Sequence, residues 1–283
     1  MKPEIVALFI FFLAAAGPLS AQDEKAPATR RGVVEMTDQV GEEEFQKLHE
    51  LKQGAAPRLL GEMVTTRAGA AYLSLPPEGL KPVAGVLVIH EWWGLNDHVK
   101  HWADRLAAEG YAALAVDLYD GKVATEPAQA MALMKAASAD QDGQLKLLNA
   151  GLDFLRDDRR CSVKKLASIG WCFGGGRSLE IALARPDLDA AVIYYGRLVT
   201  DPQALKSIKA KVLGIFALRD RGIPISAVAE FDRALDRAGV DHELHRYDAD
   251  HAFANPSSAR YEQGAAGSAW NYVRRFLRRT IGA

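Results

Sequence analysis

The stretch Ile169-Gly170-Trp171-Cys172-Phe173-Gly174-Gly175-Gly176 constrains this chain more than any other. A short apolar run ends in a cysteine that has glycine two residues before it and two residues after it. That pattern predicts a sharp strand-to-helix turn holding a nucleophile at its tip, the cysteine form of the G-x-S-x-G elbow. A side chain held at so tight a turn needs neighbours without Cβ atoms, so that strained backbone angles are allowed and the helix can pack close to the strand. Such an elbow also demands two partners later in the chain, an acid and then a histidine, each just past a later strand.

The remaining pattern supplies the scaffold for it. Residues 60–66 and 70–75 flank Arg67-Ala68-Gly69 and predict an opening hairpin. Gly85 to His90 is a continuous apolar run, as expected of a strand buried on both faces, and it leads into Glu91-Trp92-Trp93-Gly94-Leu95-Asn96-Asp97. Val99, Trp102, Ala103, Leu106 and Ala107 then recur at helical spacing, with Asn96 or Asp97 to cap the start and Gly110 to close the end. Further strands are expected at 111–117, 166–170, 190–195, 212–217 and 241–247. Helices are expected at about 127–137, through Leu145, Leu148, Leu152 and Leu155, at 173–184, after Pro224, and through Trp270, Val273, Phe276 and Leu277. Alternation of this kind requires an α/β fold, a mostly parallel sheet covered by helices on both faces. Its active site belongs at the carboxyl ends of the strands.

The first 21 residues differ from the rest. Lys2, an unbroken apolar run from Ile5 to Ala16 and a small-residue stretch to Ala21 read as a secretory signal, with an uncleaved anchor as the alternative. Residues 22–57 are polar and read as a linker or extension with one short helix around 42–53. The folded domain is expected over 58–283, exported to a periplasm or beyond. Of 283 residues 49% are hydrophobic, so one well-packed domain is within reach, and the net charge of −1 gives no reason to expect nucleic acid as a partner. No sequence feature specifies an oligomeric state.

Export permits disulfides, yet Cys161 and Cys172 are the only cysteines. With an extended strand between them they would stand roughly 30 Å apart, whereas a disulfide needs Cα atoms within about 7 Å. Two free thiols are therefore expected, one kept for chemistry.

A thiol nucleophile needs a base, and the base needs an orienting carboxylate. Asp220 follows the strand that ends at Ala217, and His251 follows the one that ends at Tyr247. Cys172, Asp220 and His251 thus stand in the order nucleophile, acid, histidine, as the hydrolase topology requires. Asp250 is the rival acid, but its adjacency to His251 makes the ring hard to reach. His251 would take the thiol proton while Asp220 fixes its tautomer. The backbone N–H groups of Phe173 and Trp92 are the expected oxyanion donors. The helix dipole at Phe173 would favour the thiolate. Inert readings remain beside these: a buried structural thiol, a turn aspartate, a packed aromatic loop at 91–93. His98 and His101 lie three residues apart on a helix but lack a third ligand, so neither a metal nor another cofactor is expected. The arginines at 274, 275, 278 and 279 read as a solvated helix face.

From about residue 60 onward the chain resembles the dienelactone hydrolase family of α/β-hydrolases. The resemblance rests on Ile89-His90-Glu91-Trp92-Trp93-Gly94-Leu95-Asn96, Asp117-Leu118-Tyr119, Gly170-Trp171-Cys172-Phe173-Gly174-Gly175, Asp220 with Gly222-Ile223-Pro224, and His251-Ala252-Phe253-Ala254-Asn255-Pro256. It implies a Cys-Asp-His triad, an acyl-enzyme, and a small ester or lactone as substrate. It also implies that Glu91 contacts the resting thiol and helps to activate it. Trp93, Tyr119, Lys122 and Asn255 fall where substrate contacts are expected. Where the dienelactone enzyme grips a carboxylate with arginines, this chain has Gly121, with Lys122 beside it, and Asn255. A lysine does not replace the planar fork of an arginine, so the chemistry carries over more directly than the substrate does. A redox-responsive or ligand-binding thiol protein on the same fold is the alternative reading.

Overall fold

The structure, a computed structural model, describes residues 33–34 and 58–282. The expected signal segment, and the extension with its helix around 42–53, lie outside the described residues apart from Val33–Val34. That pair forms β1, which lies antiparallel to β8 (Leu198–Val199).

The main sheet has eight strands: β2 (Glu62–Thr65), β3 (Ala70–Ser74), β4 (Gly85–Ile89), β5 (Ala112–Val116), β6 (Leu166–Trp171), β7 (Ala190–Tyr194), β9 (Lys211–Ala217) and β10 (His242–Tyr247). Their order across the sheet is β10-β9-β7-β6-β4-β5-β3-β2. The hairpin β2–β3 and the β3–β5 pair are antiparallel, and every other pairing is parallel. β4, β6 and β7 lie in the middle, which is why their sequences are continuous apolar runs with every residue buried. β10 is an edge strand, and its residues are mostly half-buried.

Helices α1 (Asp97–Ala108), α2 (Pro127–Ala139), α3 (Gln141–Asp157), α4 (Phe173–Ala184), α5 (Pro202–Leu205), α6 (Ile225–Ala238) and α7 (Gln263–Ile281) complete the fold. Side chains alternate across a strand. Leu87 and Ile89 of β4 therefore join one core with Leu148, Leu152 and Leu155 of α3 and Val228 and Phe231 of α6. Val86 and Val88 join the opposite core with Trp102 and Leu106 of α1 and Val273, Phe276 and Leu277 of α7. The two apolar periods in the sequence, two for strands and 3.6 for helices, meet in these layers.

Local signals fix the ends of elements. Asn96 caps α1 by accepting the Val99 N–H at 3.1 Å, and Gly110 just beyond the helix has a φ of 97°. Pro224 is the N-cap residue of α6, one position earlier than a first-turn proline. The β8 and α5 segments, two and four residues long, are too short for a periodic pattern to mark. Arg274 pairs with Glu109 at 2.8 Å and Arg279 with Glu243, so the basic face of α7 is tied to its neighbours. No helix among the described residues is long and apolar enough to cross a membrane.

Candidate active site

Cys172 stands between β6 and α4 with φ 54° and ψ −115°, a conformation that side chains rarely adopt. Its surroundings enforce that geometry. The Cys172 N–H donates to the Tyr194 carbonyl at 3.0 Å, while its own carbonyl accepts from Gly175 N–H at 3.0 Å and Gly176 N–H at 3.3 Å. Glycine is required on either side of Cys172 by contact: a Cβ on Gly170 would overlap the Gly174 carbonyl, and one on Gly174 would overlap the carbonyls of Ile89 and His90. The elbow thus draws the start of α4 against the ends of β6 and β4. Both cysteines are free and buried. Cys161, after α3, has its pKa pushed up to about 12 by burial and by Asp158, which leaves it a protonated thiol.

His251 and Asp220 come from the loops after β10 and β9. His251 Nδ1 lies 2.6 Å from Asp220 Oδ2, with both side chains 1% exposed. The other carboxylate oxygen, Oδ1, accepts from Gly222 N–H at 2.9 Å and Ile223 N–H at 3.0 Å. Two backbone donors therefore hold the carboxylate while it faces the ring. Asp250 turns away, toward Arg219 at 3.7 Å and Arg260 at 3.8 Å. The Cys172 thiol is a hydrogen-bond partner of His251. Burial lowers the imidazole's pKa, but the charges of Asp220 and Cys172 and the hydrogen bonds to them outweigh it and raise the value to about 10. This environment favours an imidazolium. The Tyr195 ring packs edge-on against His251, with centroids 4.8 Å apart.

Glu91 follows β4 and is buried. Its Oε2 accepts from Asn255 Nδ2 at 2.5 Å, and Oε1 has no hydrogen-bond partner among the described residues. Burial raises its pKa to about 7, and His251 and Asn255 limit the rise. Glu91 therefore changes charge near neutral pH.

Other expected residues divide. Tyr119 packs its ring against His90 at 4.6 Å and Phe173 at 5.8 Å. Its hydroxyl is buried without a hydrogen-bond partner among the described residues. Burial and the nearby Cys172 hold its pKa far above the usual phenol value. The Phe173 N–H, first in α4, has no acceptor within its own helix, as an oxyanion donor requires. Trp92 is fully buried and stacks edge-on with Trp93 at 5.0 Å. Trp93 is also buried, and its carbonyl accepts from Ala124 N–H at 2.9 Å, tying the loop after β4 to the loop after β5. Lys122 lies on an exposed turn. Asn255 meets Glu91 and the Ser257 N–H. His98 accepts from Trp102 Nε1 at 3.1 Å, a packing role within α1.

Three neighbours of the site have no role assigned by the sequence pattern, although His90 stands within the Ile89–Asn96 stretch that carries the family resemblance. His90 donates from Nδ1 to the Glu91 carbonyl at 2.5 Å and accepts the Leu118 N–H at Nε2, 3.1 Å away. Burial lowers its pKa to about 4, so it is a neutral brace between two loops. Tyr195, with φ 35°, is the doubled tyrosine after β7. Arg177 is buried over the Phe173 ring at 4.7 Å and pairs with Glu180 at 2.6 Å. Its position five residues after Cys172 is the sequence signal that places it near the site.

A strained residue at a strand-to-helix elbow, with an aspartate–histidine pair in the loops after later strands, defines the α/β-hydrolase class. Residues 70–281 match the dienelactone hydrolase family. The chain belongs to that family and is a hydrolase acting on ester bonds. It is 34% identical to the protein usf of Aquifex pyrophilus over 73% of this chain and 91% of the relative. It is 32% identical to a provisional carboxymethylenebutenolidase of Saccharolobus solfataricus over 74% of this chain and 93% of the relative. Among solved structures, a dienelactone hydrolase-like promiscuous phosphotriesterase from metagenomic libraries superposes with a TM-score of 0.71 at 25% identity, covering 80% of this chain and all of that one. An acylaminoacyl peptidase of Pyrococcus horikoshii, 14% identical, shares the fold alone, with a TM-score of 0.62 over 80% of this chain and 42% of that one.

Proposed function

We propose that the protein cleaves small esters or lactones through an acyl-enzyme on Cys172, with His251 as base and then acid and Asp220 as its orienting carboxylate. The observation that carries this reading is the Asp220–His251 pair, which fixes the ring so that Nδ1 faces the carboxylate and Nε2 is left for the thiol. In the first step Cys172 sulfur bonds to the carbonyl carbon and its proton resides on His251. The tetrahedral oxyanion is held by the N–H groups of Phe173 and Trp92. Collapse breaks the C–O bond and the leaving oxygen takes the His251 proton. Water, deprotonated by His251, then attacks the thioester and releases the acid and the free thiol.

The position of Cys172 at the N-terminus of the twelve-residue α4 supports a thiolate through the helix dipole. Glu91 serves as the second proton carrier beside the thiol. Tyr119 offers its hydroxyl, which has no hydrogen-bond partner among the described residues, to a polar group of the substrate. Activated esters and lactones, with and without a carboxylate, are the substrates to compare. Turnover is expected to require both Cys172 and His251, and ester cleavage that survives both Cys172→Ala and His251→Ala ends this reading.

A further inference from the structure

Asn255 is 2% exposed, and both ends of its amide are engaged. The oxygen accepts the Ser257 N–H at 2.8 Å, and the nitrogen donates to Glu91 Oε2 at 2.5 Å. The orientation is unambiguous, because a backbone N–H can only donate and so must face the amide oxygen. A residue committed in this way is poorly placed to grip a substrate, where its place in the sequence suggested it would act.

We propose that Asn255 is a positioning residue for Glu91, fixing one carboxyl oxygen and thereby setting the pH at which Glu91 exchanges the proton that governs charge beside the thiol. The inference rests on Cys172 being the attacking group. The groups facing Glu91 come from three loops. His251, after β10, favours the ionised carboxyl. Tyr195, after β7, has its own ionisation opposed by both Glu91 and Cys172, so these two share it as a neighbour. Asn255 supplies the hydrogen bond to Oε2.

The charge balance gives the coupling its direction. With Asp220, Cys172 and Glu91 all ionised, three negative charges meet a single imidazolium in a buried space. Protonating Glu91 removes one negative charge and makes the thiolate easier to keep. Because Oε2 is held by an N–H donor, that proton belongs on Oε1, the oxygen without a partner among the described residues. The Asn255 N–H stabilises the carboxylate form, so losing it must move the Glu91 titration upward.

The test is an infrared titration of the full-length protein, with the Glu91 carboxyl band assigned by its absence in Glu91→Gln. Asn255→Asp preserves the oxygen that accepts from Ser257 but sets a second carboxyl against Glu91. Its Glu91 midpoint is expected to rise by more than about one pH unit, since like charges so close cannot both ionise readily. Asn255→Leu, which removes the donor without adding charge, is expected to raise it by about one unit and serves if Asn255→Asp does not fold. The limb of the kcat/KM profile that Glu91→Gln abolishes is expected to move with the band. A midpoint that stays in place in the folded variants overturns the proposal. The infrared readout needs no turnover, so failure of the nucleophile assignment, read from Cys172→Ala, is distinguishable from failure of this one.

Discussion

Asp220 Oδ2 and His251 Nδ1 lie 2.6 Å apart across the loops after β9 and β10, and neither side chain is more than 1% exposed. The pair, 31 positions apart in sequence, joins the ends of two neighbouring strands. Its carboxylate is oriented from behind by the Gly222 and Ile223 N–H groups. Asp220→Asn would keep the shape but offers an amide where the ring needs an acceptor, which favours the wrong tautomer. Ester kcat/KM is expected to fall by roughly a hundredfold or more, with the thermal midpoint changing little. Steady-state kinetics with an activated ester checks this, and full activity would show that the carboxylate is dispensable.

The elbow predicts a steric limit. A Cβ on Gly174 would enter the carbonyl oxygens of Ile89 and His90, which are backbone atoms and cannot swing away. Gly174→Ala is expected to destabilise the protein by about 2–3 kcal/mol and to depress kcat more than KM, because the shift displaces Cys172 and the Phe173 N–H. Urea unfolding together with kinetics measures both effects.

A core substitution far from the chemistry should behave differently. Phe231 of α6 is fully buried and meets Phe216 of β9 edge-on at 6.5 Å. Phe231→Ala is expected to cost about 3–5 kcal/mol of stability while kcat/KM, measured well below the lowered melting point, stays within about twofold. A large loss of activity in the folded variant would mean that α6 does more than support the sheet.

His90 predicts how stability varies with acidity. Its folded pKa of about 4 lies below the ordinary 6.5, so between those values the unfolded chain binds more protons than the folded one. Stability from this group is present above pH 6.5 and is lost as pH falls toward 4, by up to about 3 kcal/mol. Glu91, raised from 4.5 to about 7, acts in the opposite sense over an overlapping window. The two are separated by comparing the wild type with His90→Gln in chemical denaturation at pH 4 to 7. The difference in unfolding free energy between them is expected to shrink as pH falls, and a difference independent of pH contradicts the assignment.

The places of Cys172 and Asp220 at strand ends are legible in the sequence because β6 and β9 are buried parallel strands written as largely apolar runs, whereas His251 follows the half-buried edge strand β10, whose sequence is mostly polar. The elbow glycines were legible for a steric reason that the backbone contacts of Gly170 and Gly174 bear out. Other features depend on contacts between distant segments. Nothing local to Asn255 announces that its amide spans 164 residues to reach Glu91, and nothing near His90 reveals that it braces the Leu118 N–H. Tyr195 and Arg177 gain their places from the folding of β7 and α4 around the elbow. The β8 and α5 segments escaped because so few residues carry no period.

The most direct test of the central claim is rapid quench of the enzyme with a 4-nitrophenyl ester, followed by peptide mass mapping. The account predicts an acyl group on Cys172 within the first turnover, absent in Cys172→Ala, with no acyl group on Cys161. Release of 4-nitrophenol in the first turnover without acylation of Cys172, and at an undiminished rate in Cys172→Ala, would contradict it.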